Sequence, residues 1–467
     1  MSKPPLLWQL FINRLAKVVK QRFLIVLCCF IFIASVLRLQ NLNSHSHSHS
    51  HSTQIEQTQL TSHEEKSDLS NCDWSDHDFL LKYERQEPLV GDVRRARPTL
   101  TRLKTLFSIL MAHEDKFRPI FDQFGVFRFN DIHTFKPFAN DTSILNKILC
   151  LFHKYISVSN NGHVDIRPRL LTYLEQVSMY LSDGFKHYKI QWNSTKSKDY
   201  RKPVVVIAAN GRFYDTLQAS MRTIHTFLIG YHIVVYDLGF APDQNQLIKE
   251  NCERNGSQCT VIQFPFDIVR KQSPHIQTLD NFAWKPLVVQ DALKRYGAVI
   301  YGDTSVRYKT NNFDHLLIDN VVRGFSCREL PGHYLPCYTL SNLFTWFNES
   351  SSTFDDVYVA EAGFLFVQDN FLSRLVMKTW ITCALDATCL IPNNAKTYCK
   401  NTNLTHSTHR YDQSAMVTVL TFFFYQSQRI ADKSDPAPYD MFSSIQQQIA
   451  EVRRFEGDLS YFTRKIK

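Results

Sequence analysis

From residue 202 onward, short runs of β-branched and aliphatic residues alternate with longer amphipathic stretches, and this alternation limits the fold more than any other feature. Residues 203–210 pass through three valines to Ala208, Ala209 and Asn210 without a charge. A short continuous apolar run of this kind reads as a strand covered on both faces, as in a parallel sheet. Similar runs occupy 232–239, which includes Asp237 and Gly239, then 259–264, and then 298–301, followed by Gly302 and Asp303. Helices are expected between them at 213–227, 242–251 and 282–295, the last with Pro286 in its first turn. A further strand at 360–367 begins with small residues, which let a ligand approach the backbone. The alternation predicts a doubly wound α/β domain. GxGxxG and Walker lysine motifs are both missing, which argues against dinucleotide or P-loop phosphate binding.

Ligands of open α/β sheets sit at the carboxyl ends of the strands. Asn210, Asp237 and Asp303 occupy such ends, and Glu361 lies beside the small residues Ala362 and Gly363. An aspartate after a strand can hold a cation or a ribose hydroxyl; it is also an ordinary turn former. Farther on, His409, Arg410, Tyr411, Asp412 and Gln413 form a polar cluster ahead of an apolar helix expected at 416–425. Asp412 suits either a functional role or a capping one at that helix start.

The chain begins differently. Of the net charge of +9, six positive charges fall in residues 1–40, which hold no acidic residue. The small remainder gives no dedicated nucleic-acid surface. An uncharged apolar run at 23–37 lies between Arg22 and Arg38. It is shorter than the ~20 residues of a typical span, and without a convincing cleavage site it reads as an uncleaved anchor rather than a signal peptide. Basic residues before it and acidic residues after it place the N-terminus in the cytosol and the rest in the lumen. A short span suits an early-secretory membrane. Residues 41–95, with alternating serine and histidine at 45–51, have too few apolar side chains to order themselves and read as a stem. Residues 96–200 show helical spacing of leucines and aromatics and carry no evident chemistry.

Two of the eleven cysteines lie in the apolar run. The others include close groups, Cys252 with Cys259, Cys327 with Cys337, and Cys383 with Cys389 and Cys399, which suit disulfide loops in an oxidising compartment. Asn140, Asn193, Asn255, Asn348 and Asn403 each begin a glycosylation sequon, in keeping with a lumenal address.

Anchor, stem, strand-terminal aspartates, an Asp-x-Ser at Asp303–Ser305 where an Asp-x-Asp would stand, a small-residue strand and a late Asp-Gln pair together resemble GT-A-type glycosyltransferases. The order of Val-Val-Tyr-Asp-Leu-Gly, Trp-Lys-Pro, Gly-Asp-Thr-Ser and Arg-Tyr-Asp-Gln-Ser-Ala is similar to the nematode-expanded glycosyltransferase-like family DUF1647, over roughly residues 200–430. With the charge and composition readings above, this gives a cytosolic tail (1–22), transmembrane anchor (23–39), stem (41–95), mainly helical lumenal region (96–200) and, by the resemblance, a GT-A-like catalytic domain (201–467), expected in a type II protein of the Golgi or ER membrane. The resemblance implies nucleotide contacts at Ala209 and Asn210 and a base or ribose contact at Asp237. Asp303 would bind ribose and a divalent cation, Mn²⁺ or Mg²⁺, with Ser305 in the second acidic position. Ala362, Gly363 and Glu361 would lie near the donor sugar, and Asp412 and Gln413 would face sugar or acceptor.

Glycosyl transfer needs the departing diphosphate neutralised and a carboxylate to take the acceptor's proton or stabilise the sugar. Glu361 and Asp412 are the candidate catalytic carboxylates. Because Ser305 weakens a metal site, neutralisation falls either to a cation held by Asp303 with water and diphosphate or to Lys285, Arg307 and His409. Ser305 also keeps open an inactive, transferase-like sugar- or protein-binding module. A glycoside hydrolase would need two flanking carboxylates, and would leave the nucleotide-site features unexplained.

Overall fold

The computed structural model describes residues 96–129, 155–158, 163–175, 202–253, 256–313, 316–317, 320, 323–369, 371–391, 409–424 and 449–463. The expected anchor and stem, Cys72, Cys150 and Cys399, and the sequons at Asn140, Asn193, Asn255 and Asn403 lie outside these residues. Among the described residues no helix is long and apolar enough to cross a membrane. Asn348 is exposed, in a left-handed turn (φ 57°).

The centre is a six-stranded mixed sheet. Its strands are β3 (Val204–Ala209), β4 (Ile233–Asp237), β5 (Cys259–Gln263), β6 (Ala298–Gly302), β8 (Phe325–Tyr334) and β9 (Tyr358–Gln368), in the order β5-β4-β3-β6-β9-β8. β3 to β6 are mutually parallel, and β9 runs antiparallel to both β6 and β8. A small hairpin pairs β1 (Ile156–Val158) with β2 (Val164–Ile166) inside the region expected to be mainly helical. Two short strands, β7 (Val306–Tyr308) and β10 (Ala450–Val452), pair antiparallel and tie the end of the chain to the residues after β6.

Strand periodicity divides the core in two. Val204, Val206 and Ala208 of β3 face one side, while Val205, Ile207 and Ala209 face the other. The first side is covered by α1 (Leu100–Ala112), α2 (Glu114–Phe124), α5 (Lys285–Tyr296), α6 (Phe371–Leu385) and α7 (Tyr411–Phe423). The second is covered by α3 (Tyr214–Phe227), α4 (Pro242–Asn251) and the segment at 449–463. The N-terminal helices therefore share one core with the sheet.

Both faces of β3, β4 and β6 are covered, which is why those strands are continuous in apolar residues, while β5 at the sheet edge is only partly covered. α5 ends on Gly297 at φ 78°, where a side chain would be strained, and β6 starts at the next residue. α7 begins at Tyr411, five residues before the expected start. Asp412 therefore lies in its first turn.

Disulfides join Cys252 to Cys259 and Cys383 to Cys389. The expected grouping of Cys327 with Cys337 is not a bond. Cys337 is itself disulfide-bonded, whereas Cys327 is a buried thiol among the apolar side chains between sheet and helices.

A buried ion pair fastens α2 to α6. Glu114 Oε1 accepts from Lys378 Nζ at 2.5 Å and from the Phe129 backbone N–H at 2.6 Å, while Lys378 also donates to the Phe127 carbonyl at 2.8 Å. Three rings, Phe121, Phe127 and Phe129, lie 4.8–5.0 Å from the ammonium. Removing one partner strands the other charge in the core, at a cost of about 3–5 kcal/mol. Glu114→Ala should lower stability by that amount in urea unfolding. The double replacement Glu114→Leu, Lys378→Met should recover most of it.

Candidate functional site

The carboxyl edge of the parallel strands gathers two carboxylates around one ammonium. Lys285, at the start of α5, is 4% exposed; its Nζ lies 3.2 Å from Asp303 Oδ1 and 3.1 Å from Asp412 Oδ2. Asp303 follows β6, and Asp412 comes from α7, more than a hundred residues later. The ammonium also lies 5.1 Å from the ring centroid of Phe282 and 5.6 Å from that of Tyr301.

Each carboxylate is positioned by further contacts. Tyr301 donates its hydroxyl to Asp303 Oδ1 at 2.8 Å. The Asp303 backbone N–H donates to the Gly363 carbonyl at 2.8 Å, which pins the turn after β6 against β9. A Cβ at Gly363 would stand 2.7 Å from Asp303 Oδ2, so a side chain there would push the carboxylate aside. Trp380 Nε1 of α6 donates to the Asp412 carbonyl at 3.0 Å. Asp303 is 35% exposed and Asp412 only 5%. Asp303 is thus the member of the trio that faces solvent, and Asp412 backs the lysine from within.

The electrostatics follow from burial. The two carboxylates raise the Lys285 pKa against the opposing effect of its own desolvation, so it stays charged. Burial pushes Asp412 up to about 6, with the neighbouring Asp303 charge adding to the rise and Lys285 opposing it. Burial holds the Tyr301 hydroxyl well above its ordinary range, so it remains a donor.

Other residues singled out in the sequence are placed differently. Asp237 is buried, with Oδ1 accepting from the N–H groups of Gly239 and Phe240 and Oδ2 from Asn245, so its carboxylate is occupied by its own loop. The Arg307 guanidinium donates to the carbonyls of Thr304, Val306 and Glu456 and faces the chain's last segment rather than an open cleft. Burial lowers the His409 pKa to about 4, and the ring bonds with Leu390 O and the Leu340 N–H. A neutral imidazole cannot neutralise a leaving group, so of the three cations expected for that task only Lys285 meets Asp303.

Glu361 lies two residues from Gly363 along β9, about 7 Å at strand rise, and forms an ion pair with Arg328 of β8. Ala362 and Ala209 are buried, and the Ala209 carbonyl accepts from Leu238 N–H. Ser305 sits in the turn between β6 and β7, where its carbonyl accepts from Arg453 N–H at 2.7 Å. Asn210 Oδ1, Glu361 Oε2 and Gln413 Nε2 are buried polar atoms without a hydrogen-bond partner. Tyr301, Phe282 and Trp380 were not anticipated. Tyr301 could have been found from strand alternation, since it shares a side with a residue two positions on; Trp380 left no signal.

Among the described residues no group of three or more His, Cys, Asp or Glu side chains is arranged to hold a metal ion. Asp303 Oδ1 is engaged by Tyr301 and Lys285 and Oδ2 lies 3.5 Å from Lys285 Nζ, so a divalent cation here would take most of its coordination from diphosphate and water.

No protein-family model matches the sequence, and no curated protein matches it. Solved structures with similar folds include the galactosyltransferase LgtC in complex with donor and acceptor sugar analogs (11% identity, 47% of this chain and 70% of that one, TM-score 0.29). They also include mouse xyloside xylosyltransferase 1 (13% identity, 47% and 81%, TM-score 0.29) and the mannosyltransferase Ktr4p from S. cerevisiae (12% identity, 49% and 67%, TM-score 0.31). At this level the likeness carries no argument about reaction or substrate, which must rest on the site itself.

A folded-state pKa of Asp412 raised from 3.8 to about 6 has a defined sign. The unfolded chain ionises first as pH rises, so the stability this group contributes is complete below about 4 and is lost as pH passes through about 6. Urea midpoints of wild type and Asp412→Asn measured from pH 4 to 7 should show wild type losing stability relative to the variant. A flat difference would contradict the burial of an ionisable carboxyl there.

Proposed function

We propose that the protein is a GT-A-type glycosyltransferase, akin to the DUF1647 family, that moves a sugar from a nucleotide-sugar donor to a glycan or glycoprotein acceptor. We place it as a type II protein of the Golgi or ER membrane, anchored in the lipid bilayer by residues 23–39, with its catalytic domain in the lumen. One observation carries the enzymatic reading: a buried ammonium, Lys285, joined to an open carboxylate, Asp303, at the carboxyl edge of a parallel sheet.

Transfer breaks the bond between the sugar's anomeric carbon and a diphosphate oxygen and forms one to the acceptor oxygen. The bond's electron pair leaves with the diphosphate, and the acceptor's proton must be taken up. Lys285, pinned between two carboxylates, offsets the charge of Asp303 and fixes its direction before any substrate arrives. Asp303, held by Tyr301 and by the Gly363 carbonyl, presents Oδ2 to the donor, to a sugar hydroxyl or, where one is bound, to a divalent cation. Asp412, beneath the ammonium, keeps it charged and aimed. Glu361, at the rim of the same edge, is the carboxylate left to receive the acceptor's proton. When bound, Mn²⁺ or Mg²⁺ would add charge to the diphosphate side, with Asp303 as its protein ligand.

A second reading, a lumenal sugar-binding module without turnover, is supported by Ser305 in the second acidic position and by the inward-turned Asp237. One assay separates the two. Incubation with UDP-glucose, UDP-galactose, UDP-xylose, UDP-N-acetylglucosamine and GDP-mannose, with Mn²⁺ and with chelator, should release nucleoside diphosphate from at least one donor. Asp303→Ala should abolish the release at a temperature where the variant is still folded, and should lower the melting temperature because Lys285 then keeps only Asp412 as a charge partner. Gly363→Ala, which forces the Asp303 carboxylate aside, should reduce it about a hundredfold. Glycan binding without turnover of any donor would favour the module, and a fully active Asp303→Ala would remove the site assignment.

A further inference from the structure

We propose that Phe282 is a platform for the donor's pyranose, its ring covering the apolar face of the sugar while Asp303 engages a hydroxyl. The inference rests on the transferase reading and specifies how that site would hold the group it transfers.

Phe282 has φ 55°, in the left-handed region that a bulky residue rarely occupies. Glycine or asparagine would sit there with less strain. The surrounding turn nonetheless enforces the conformation. Phe282 N–H donates to Leu279 O at 3.1 Å, and Lys285 N–H donates to Phe282 O at 3.0 Å. Asn281, buried, donates from Nδ2 to His275 O at 2.7 Å and accepts from Ala283 N–H at 3.0 Å. Trp284 Nε1 donates to Leu279 O at 3.0 Å. Strain that is over-determined by its neighbours clusters at functional positions.

The conformation holds an aromatic ring at the mouth of the site. Phe282 is 36% exposed, beside an ammonium that is almost wholly covered. The ring centroid lies 5.1 Å from Lys285 Nζ, and the same ammonium lies 3.2 Å from the open carboxylate of Asp303. An apolar ring face and a carboxylate around one cation meet the two needs of a pyranose, which has C–H bonds on its faces and hydroxyls on its rim.

The position makes packing and sugar binding separable. Phe282→Gly relieves the backbone strain and removes the ring; Phe282→Tyr keeps both. With the full chain and the donor that is turned over, Phe282→Gly should melt at or above the wild-type temperature. Its KM for the donor should rise about tenfold, the loss of one stacking contact. Inhibition by the matching sugar-free nucleoside diphosphate, UDP or GDP, should be unchanged, and Phe282→Tyr should restore the donor KM. A lower melting temperature in Phe282→Gly would make the ring a packing element and overturn the proposal. An unchanged donor KM, a KM rise confined to the acceptor, or an equal weakening of UDP or GDP inhibition would overturn it too. A wild-type protein inert toward every donor would instead remove the transferase reading itself, before any variant is compared.

Discussion

A charged lysine cannot be buried alone, and the arrangement of this molecule around Lys285 follows from that constraint. Its ammonium needs compensation from both Asp303 and Asp412, which arrive on different elements: the turn after β6 and the first turn of α7. Asp412 would not be stable as a carboxylate in its place without the lysine, since desolvation already raises its pKa with the ion pair in place. The three residues therefore fix the mutual position of α5, β6 and α7. The open edge where they meet becomes a preorganised polar surface rather than a set of mobile side chains.

The rest of the architecture supports that edge from both sides. On one face, Tyr301 and Trp380 reach the two carboxyl-bearing residues from the sheet and from α6. The buried Glu114–Lys378 pair in turn fixes α6 to α2, linking the N-terminal helices to the element behind the site. On the other face, the pairing of β7 with β10 and the contact of Arg453 with the Ser305 carbonyl hold the turn that follows Asp303. Asp237, Arg307 and His409 belong to this scaffold. They look like ligands in a sequence because they are polar residues near strand and helix ends, but each is occupied by backbone groups that their loops leave unpaired.

The parallel strands were legible because their β-branched runs are short and continuous, with β3, β4 and β6 covered on both faces. β8 was not, since Arg328, Glu329, Pro331 and Gly332 interrupt any apolar pattern, and its pairing with β9 passes through irregular register. The start of α7 was placed too late because Tyr411, Asp412 and Gln413 read as a polar loop; Asp412 is polar and buried, a combination that only its ion pair with Lys285 explains. Lys285, Asp303 and Asp412 could each be named from residue type and position. Their convergence could not, because nothing local records which carboxylates a lysine will meet across 127 residues of chain. Phe282 was invisible for a related reason: the backbone angle that gives it meaning is set by hydrogen bonds from its neighbours.

The β7–β10 pair has a consequence in time. It joins strands about 140 residues apart, and through Arg453 it closes the turn that bears Asp303. Loop closure over that distance must precede any energetic return, so contacts of this kind slow folding. During synthesis the turn after β6 emerges long before the segment that clamps it. Maturation of the Asp303 site is thereby deferred until residues 450–453 have been made.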